Sequence, residues 1–302
     1  MEENEKNRRK GFLLVLTGGI LWGTSGACGQ FLFEHKGMVA TWIVPYRMLF
    51  AGAVLLVLQY IRRRNKIFAV WKGRRDILEI LIFALIGMAG CQFTYFYSIQ
   101  YSNAGTGTVL QCLSTVMITA VTCIMARRRP YALEVVAVIC AFAGAYLLAT
   151  KGNPGSLQLS PNALISGILS AACVVIYSME PKHLVEKHGT LITVGWGMLI
   201  GGVLLFAIFR PYSIDVTIDT ETILMLGVIF VAGTVVSFSL YLEGIKYIGA
   251  KTASLLGMSE PLVAALWAVL ALGTSFTIAD IAGFVLILST IFLCVMDKRK
   301  GT

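Results

Sequence analysis

The sequence predicts an all-α membrane protein: ten transmembrane helices in two inverted five-helix repeats. Three observations lead there. Hydrophobic residues make up 57% of the 302 and charged residues only 14%, where soluble domains run to about 25% charged. The apolar residues arrive in blocks of about 20, the length that crosses roughly 30 Å of hydrocarbon. The second half of the chain also echoes the first at a shift of about 145 to 150 residues.

Only helices satisfy their own backbone polar groups across hydrocarbon at that length, so each block reads as a helix. The first, 11–33, follows a basic start and is too long for a signal-peptide core of about 7–15 residues. Its stretch Ser25-Gly26-Ala27-Cys28 lacks the preceding Leu of a lipoprotein cleavage box. The second, 39–61, contains Pro45 and Arg47. The third, 77–100, sets Gln92, Tyr95 and Phe96 on one face, at i, i+3 and i+4. The fourth, 104–126, is rich in Thr, Ser and Gly and carries Gln111 and Thr115. The fifth, 131–150, begins near Glu134. The short sixth, 162–180, holds Ser170, Cys173 and Tyr177. The remaining four are 190–209, 222–245 with Tyr241, 250–272 with Glu260 and Pro261, and 278–296, which begins near Asp280. Connections are short, so no soluble domain fits. The tails, 1–10 and 297–302, are expected in the cytoplasm.

Net charge is +9, and its distribution reads as topology rather than a nucleic-acid footprint. With the N-terminus inside, 21 of the 25 Lys and Arg fall on the cytoplasmic side. Lys36, Lys151 and Arg210 fall opposite, and Arg47 lies within a span. The positive-inside rule then puts both termini in the cytoplasm of a cell membrane.

The echo is concrete. MLFAGAVLL (48–56) parallels MLIGGVLLF (198–206), and GILWGTS from Gly19 matches GILSAAC from Gly167. SNAGTGTVLQCLSTV (102–116) lies against YIGAKTASLLGMSEP (247–261), and Glu134 corresponds to Asp280. The units run over 11–150 and 162–296. Five helices is an odd number, so the second unit must insert upside down, a common plan for secondary transporters. A duplicated scaffold that transports nothing is the alternative.

Certain stretches resemble the EamA-like family of the drug/metabolite transporter superfamily. They are Gly19-Ile20-Leu21-Trp22-Gly23, Tyr46-Arg47-Met48-Leu49-Phe50, Tyr247-Ile248-Gly249-Ala250 and Glu260-Pro261. The resemblance covers about 11–296. It implies a metabolite transporter, in many cases an exporter of amino acids and related solutes, with a central cavity between the halves. The first half departs from the pattern, with Thr115-Val116 where the second has Glu260-Pro261.

Glu260 falls near the bilayer midplane, where a carboxylate is disfavoured by about 2.5–3.5 kcal/mol on insertion scales and reads as functional by default. Pro261 is expected to free the Gly257 carbonyl and kink the helix; Pro45 is a second hinge position. The alternative is a structural kink with Glu260 protonated or capped by Ser259. Arg47 has three roles open: holding a substrate carboxylate, pairing with Glu260, or snorkelling to the outer interface. The expected cavity lining is Trp22, Ser25, Gln92, Tyr95, Phe96, Gln111, Thr115, Ser170, Tyr177, Tyr241 and Glu260, an apolar-aromatic wall with a few polar groups. The same aromatic and hydroxyl residues also serve helix packing. Glu180 and Glu243 sit near cytoplasmic helix ends, where solvation is the default.

No cofactor or metal is expected. The seven cysteines fall inside spans without CxxC spacing and read as small apolar residues. His183 and His188 are five apart, which does not align two ligands. Gly105-Thr106-Gly107 is followed by Leu110, not the third glycine of a dinucleotide fingerprint. No GxxxxGK[ST] loop supports ATP-driven transport. A membrane enzyme would need clustered Asp, His or Glu at the interface, and the chain offers no Asp-rich motif and no His within a span. The function expected is therefore a secondary transporter exporting small metabolites such as amino acids by alternating access. A channel-like or lipid-handling role in the same fold is the alternative. The partners expected are a small-molecule substrate and the lipid bilayer, not nucleic acid. Gly19-xxx-Gly23 and Gly197-xxx-Gly201 favour packing within a monomer over a homodimer face.

Overall fold

The computed structural model describes residues 2–153 and 155–297. Ten long helices appear in chain order: α1 (Glu2–His35), α2 (Ala40–Arg63), α3 (Arg74–Gln100), α4 (Ala104–Met125), α5 (Ala132–Thr150), α6 (Pro161–Met179), α7 (Thr190–Phe209), α8 (Thr220–Gly249), α9 (Thr252–Leu270) and α10 (Ile278–Asp297). No strand occurs among the described residues. Nine of these are long and apolar enough to cross a membrane, and Ile278–Cys294 in α10 is a shorter apolar helix. Every expected span is present, including the Thr-rich fourth and the short sixth. The basic N-terminal segment is helical from Glu2 and continues directly into the first span. The expected C-terminal tail lies, beyond residue 297, outside the described residues.

Helix starts follow from short polar side chains that satisfy first-turn N–H groups. Asn103 accepts from the Thr106 N–H at α4, and Asp219 accepts from the Thr222 N–H at α8. Glu134 accepts the Tyr131 N–H at α5. Asp280 accepts both the N–H and the hydroxyl of Thr277 at α10. Pro161 occupies the first turn of α6, where its missing N–H costs nothing.

The helices pair across the repeats: α2 lies along α7, α5 along α10, α3 on α6, and α1 on α8 and α9. Lipid supplies no hydrophobic drive between helices, so close backbone approach through small residues holds such pairs together. Gly144 and Gly283 face each other between α5 and α10. A Cβ on either would sit 2.9 Å from the other's carbonyl oxygen.

Two irregularities recur at one spacing. A π-helical stretch interrupts α3 at Phe83–Met88 and α8 at Val228–Val236. α4 breaks at Cys112 and Leu113, and α9 at Gly257 and Met258. Phe83 to Val228 and Cys112 to Gly257 are each 145 positions, the shift of the sequence echo. π turns concentrate at functional sites, and helices broken at matching positions of two repeats are the signature of a transporter site.

Candidate functional site

The broken helices and π turns surround one cavity of about 70 Å³ between the repeats. It is lined by Trp22 of α1, Arg47 of α2, Met88, Cys91, Gln92 and Tyr95 of α3, Gln111 of α4, Tyr177 of α6, Phe238 of α8 and Glu260 of α9. A buried water needs about 10–15 Å³ by the same kind of measure. The space therefore holds a few waters, and a metabolite needs the walls to part.

Arg47 stands two residues after Pro45 in α2, which runs unbroken through the proline. Its side chain is inside the protein at 3% exposure, so it does not snorkel. Nε donates to Thr234 Oγ1 at 2.7 Å and Nη2 to the Gly233 carbonyl at 3.3 Å. The guanidinium lies 4.6 Å from the centre of the Phe96 ring, a cation–π contact. The π turn of α8 prepares the acceptor. Thr234 donates its own proton to the Ile229 carbonyl five residues back, at 2.8 Å, leaving the oxygen's lone pairs for Arg47. Nη1 is buried and has no hydrogen-bond partner among the described residues.

Glu260 is the second residue of the helical segment Ser259–Leu270 that follows the break in α9. The expected free carbonyl at Gly257 is instead taken by the Glu260 N–H at 3.0 Å. Pro261, third in the segment, sits where an N–H would lack a helical acceptor anyway. The proline therefore begins a half-helix rather than kinking a whole one. That start favours a carboxylate in the first turn, because the amide dipoles point their positive end at it. The carboxylate faces the Tyr95 hydroxyl and interacts with the Arg47 charge. The Tyr95 oxygen is also 2.9 Å from Thr108 Oγ1. α1 presses against the break through Gly23, where a Cβ would come 2.5 Å from the Glu260 carbonyl oxygen.

Seven expected residues therefore meet at the cavity: Trp22, Arg47, Gln92, Tyr95, Gln111, Tyr177 and Glu260. The others stand behind it or away from it. Ser170 accepts from Gln111 Nε2 at 2.7 Å and so orients it. Tyr241 packs on Trp22, with ring centres 4.9 Å apart, and Phe96 underlies Arg47. Ser25 is buried with an unpartnered hydroxyl. Thr115 lies beyond the break in α4, where its carbonyl accepts the Thr119 hydroxyl. The sequence reading missed Met88, Cys91, Phe238 and Thr234. The first two lie on the face of Gln92 and Tyr95, at 88, 91, 92 and 95, and extending that face by one turn would have found them. No local pattern pointed to Thr234.

Ties between the repeats close both ends of the bundle. At the end holding the termini, Asp76 of α3 receives Lys187 at 2.8 Å and His188 Nε2 at 2.9 Å, and Glu79 meets His183 Nδ1 at 2.8 Å. All three partners lie on the short helix Lys182–His188. Glu180, just before it, is not simply solvated: Oε2 is buried without a partner among the described residues. Glu243 pairs with Lys246. At the far end Lys36 bonds both Asp219 and Glu221, each at 2.7 Å, and Gln30 donates to Thr274 at 3.0 Å.

The profile of the EamA-like transporter family matches residues 9–150 and again 161–296. An uncharacterized inner membrane transporter of Salmonella typhimurium, YicL, is 40% identical over 292 residues, 97% of each chain. An uncharacterized transporter of Clostridium kluyveri is 23% identical over 306 residues, 97% of this chain and 95% of its own. A solved crystal structure with 15% identity shares the fold at a TM-score of 0.65, covering 96% of this chain and 98% of its own.

Proposed function

The chain belongs to the EamA-like transporter family, and from that premise we propose a secondary transporter that exports small metabolites such as amino acids by alternating access. The observation that carries the substrate class is the pair of opposite charges at one cavity. Arg47 offers a buried nitrogen with no partner, and Glu260 offers a carboxylate at a half-helix start. A zwitterion answers both: its carboxylate takes Nη1, a charge-assisted contact, and its ammonium takes Glu260. The aromatic wall of Trp22, Tyr177 and Phe238 leaves room for an apolar side chain once the cavity opens.

Opening requires one set of end ties to part while the other holds. The charge bias supports a cytoplasmic side for the termini, and with them for the Asp76 cluster. The Lys36 ties then form the outer closure. The breaks in α4 and α9 supply the joints, since each half-helix can tilt without disturbing the hydrogen bonds of the other.

The test is counterflow of labelled amino acids by purified protein in proteoliposomes. Wild type is expected to exchange at least one zwitterion saturably. Glu260→Gln is expected to lose most of that exchange and its dependence on pH. Saturable exchange of zwitterions that survives Glu260→Gln unchanged would remove the carboxylate from the site. Ion currents or lipid movement without any solute exchange would favour the channel-like reading.

A further inference from the structure

A second cavity, of about 200 Å³, lies at the end of the bundle that holds the termini. It is lined by Gln59 of α2, by His188 to Ile192 where the connection enters α7, and by Ser239, Leu242, Glu243 and Lys246 of α8. Gln59 is twelve residues from Arg47 along α2, about 18 Å at 1.5 Å per residue, so this is not an arm of the central site. We propose that this cavity is an oxyanion site, taking a phosphate or carboxylate group on the first turn of α7.

Two independent observations point there. The first is the helix start. α7 runs for 20 residues, and its N-cap is Gly189, which offers no side-chain cap. The first helical bond is donated by Thr193 to the Gly189 carbonyl. The N–H groups of Thr190, Leu191 and Ile192 therefore have no acceptor within the helix, and their residues line the cavity. The positive end of the helix dipole, about half a charge, sits with them. The second is Gln59. Its side chain is 6% exposed, it lines the same cavity, and it makes no hydrogen bond among the described residues. Its amide opens on the cavity rather than being sealed in the protein, and Nε2 is free to donate to an oxyanion there.

The remaining lining fits an anion better than a cation. Glu243 is already engaged by Lys246 and accepts from the Tyr247 hydroxyl. His188 reaches Asp76 through Nε2, and Lys187 shares that carboxylate. The free donors thus outnumber the free carboxylate oxygens. The matching helix of the first repeat sharpens the contrast. At the start of α2 the Ala40 N–H is taken by Gln100 Oε1 at 2.7 Å, so that turn is closed by the chain itself.

The experiment uses the purified full chain in phosphatidylcholine nanodiscs and measures melting temperature. Inorganic phosphate and acetate are titrated against chloride at matched ionic strength. Phosphate is expected to raise the melting temperature saturably, by about 2–4 °C at tenfold excess over its dissociation constant. Gln59→Leu is expected to fold and to lose at least half of that rise. Thr190→Pro, which suits a first helical position but deletes one donor, is the second variant and is expected to weaken it as well. A parallel arm replaces part of the lipid with phosphatidylglycerol in the absence of phosphate. A rise there that both variants lose assigns the same site to a lipid headgroup, and a rise only with phosphate or acetate assigns it to a solute. No anion-specific rise in wild type in either arm, or a rise that both variants keep in full, would overturn the proposal.

Discussion

The two repeats share their backbone devices and differ in their chemistry. Each carries a π stretch in its third helix and a break in its fourth, 145 positions apart. Each also caps its fifth helix with an acid, Glu134 or Asp280. The side chains at the breaks diverge: Thr115-Val116 follows the break in α4, and Glu260-Pro261 follows the break in α9. Arg47 stands in α2 where the repeat alignment puts Gly197 in α7. On the transport cycle proposed above, the recurring breaks let both halves bend, and the single pair of charges serves one zwitterion.

The sharpest way to break this comparison is to move the carboxylate to the other repeat. The double variant Glu260→Thr with Thr115→Glu keeps the composition and both helix breaks. Arg47 is anchored to α8, and Thr115 is not at the cavity, so transport is not expected to recover. Losing one member of a buried charge-to-ligand contact costs about 2–5 kcal/mol, or roughly 30- to several thousand-fold in exchange rate. Recovery to near wild type would mean that the two breaks are chemically equivalent.

Next in size is Thr234→Val, which keeps shape and removes the hydroxyl that fixes Arg47 Nε. A hydrogen bond to a charged group contributes about 1.5–3 kcal/mol, so the variant should lose about that much stability, read as a lower melting temperature, and the loosened guanidinium should lower apparent affinity for the zwitterion as well. Ala89 is the counterpart of Thr234 at the same 145-residue shift, so Ala89→Ser serves as the control and should leave affinity alone.

How much of this could be read beforehand depended on whether the signal was local. Span lengths and the oddity of Glu260 in an apolar run follow from periodicity and the cost of burial, and Glu134 and Asp280 were read only as acids near two helix starts, without their capping bonds. The break in α9 was legible as a disturbance but not in its form. Pro261 announces a missing N–H, yet whether it kinks a helix or starts one depends on Gly257 and Met258 turning, a tertiary outcome. Arg47 was legible as an intramembrane charge and illegible in its bonds. Its partners are 186 and 187 residues away in α8, and the π turn that frees the Thr234 oxygen has no residue signature. Gly23 was read as half of a small-xxx-small pair and as the end of a family-like stretch, while its contact with the Glu260 carbonyl comes from the crossing of α1 and α9.

That contact yields the third prediction. Gly23→Ala places a methyl group 2.5 Å from the Glu260 carbonyl oxygen. Overpacking of this kind costs about 1–3 kcal/mol, read as a lower denaturation midpoint, with transport lowered because the half-helix is displaced. Its repeat counterpart, Ala171, already carries a methyl group. Ala171→Gly should cost only about 1 kcal/mol through helix propensity and leave the site in place. Equal transport defects in the two variants would mean that both breaks are seated alike.

The smallest effect concerns the first connection of each repeat, which inversion puts at opposite ends of the bundle. In the first, Lys36 is surrounded by Asp219 and Glu221, and hydrogen bonding to them holds the lysine above its usual range. Asp219 in turn lies well below the ordinary carboxylate range because of Lys36. In the second, burial pushes Glu180 up to about 7, with the neighbouring Glu79 charge adding to it; Glu79 itself is held by Arg75 and His183. The signs are opposite. A carboxylate with a depressed value stabilises the fold above the unfolded pKa of about 3.9, and that contribution is lost as pH falls. A carboxylate with a raised value keeps its proton in the folded state while the unfolded chain has lost it, so stability falls as pH climbs from about 4.3 to about 7 and is level beyond. Glu180→Gln should remove that slope. Its melting temperature relative to wild type should rise across pH 4.5 to 7, about the interval between the two values, and hold steady above it. Asp219→Asn should cost stability at neutral pH, and that cost should shrink only as pH falls below about 3.9 toward the depressed folded-state value. A Glu180→Gln difference that is the same at all pH values would mean the carboxyl titrates alike in the folded and unfolded chain, and the contrast between the two connections would reduce to packing.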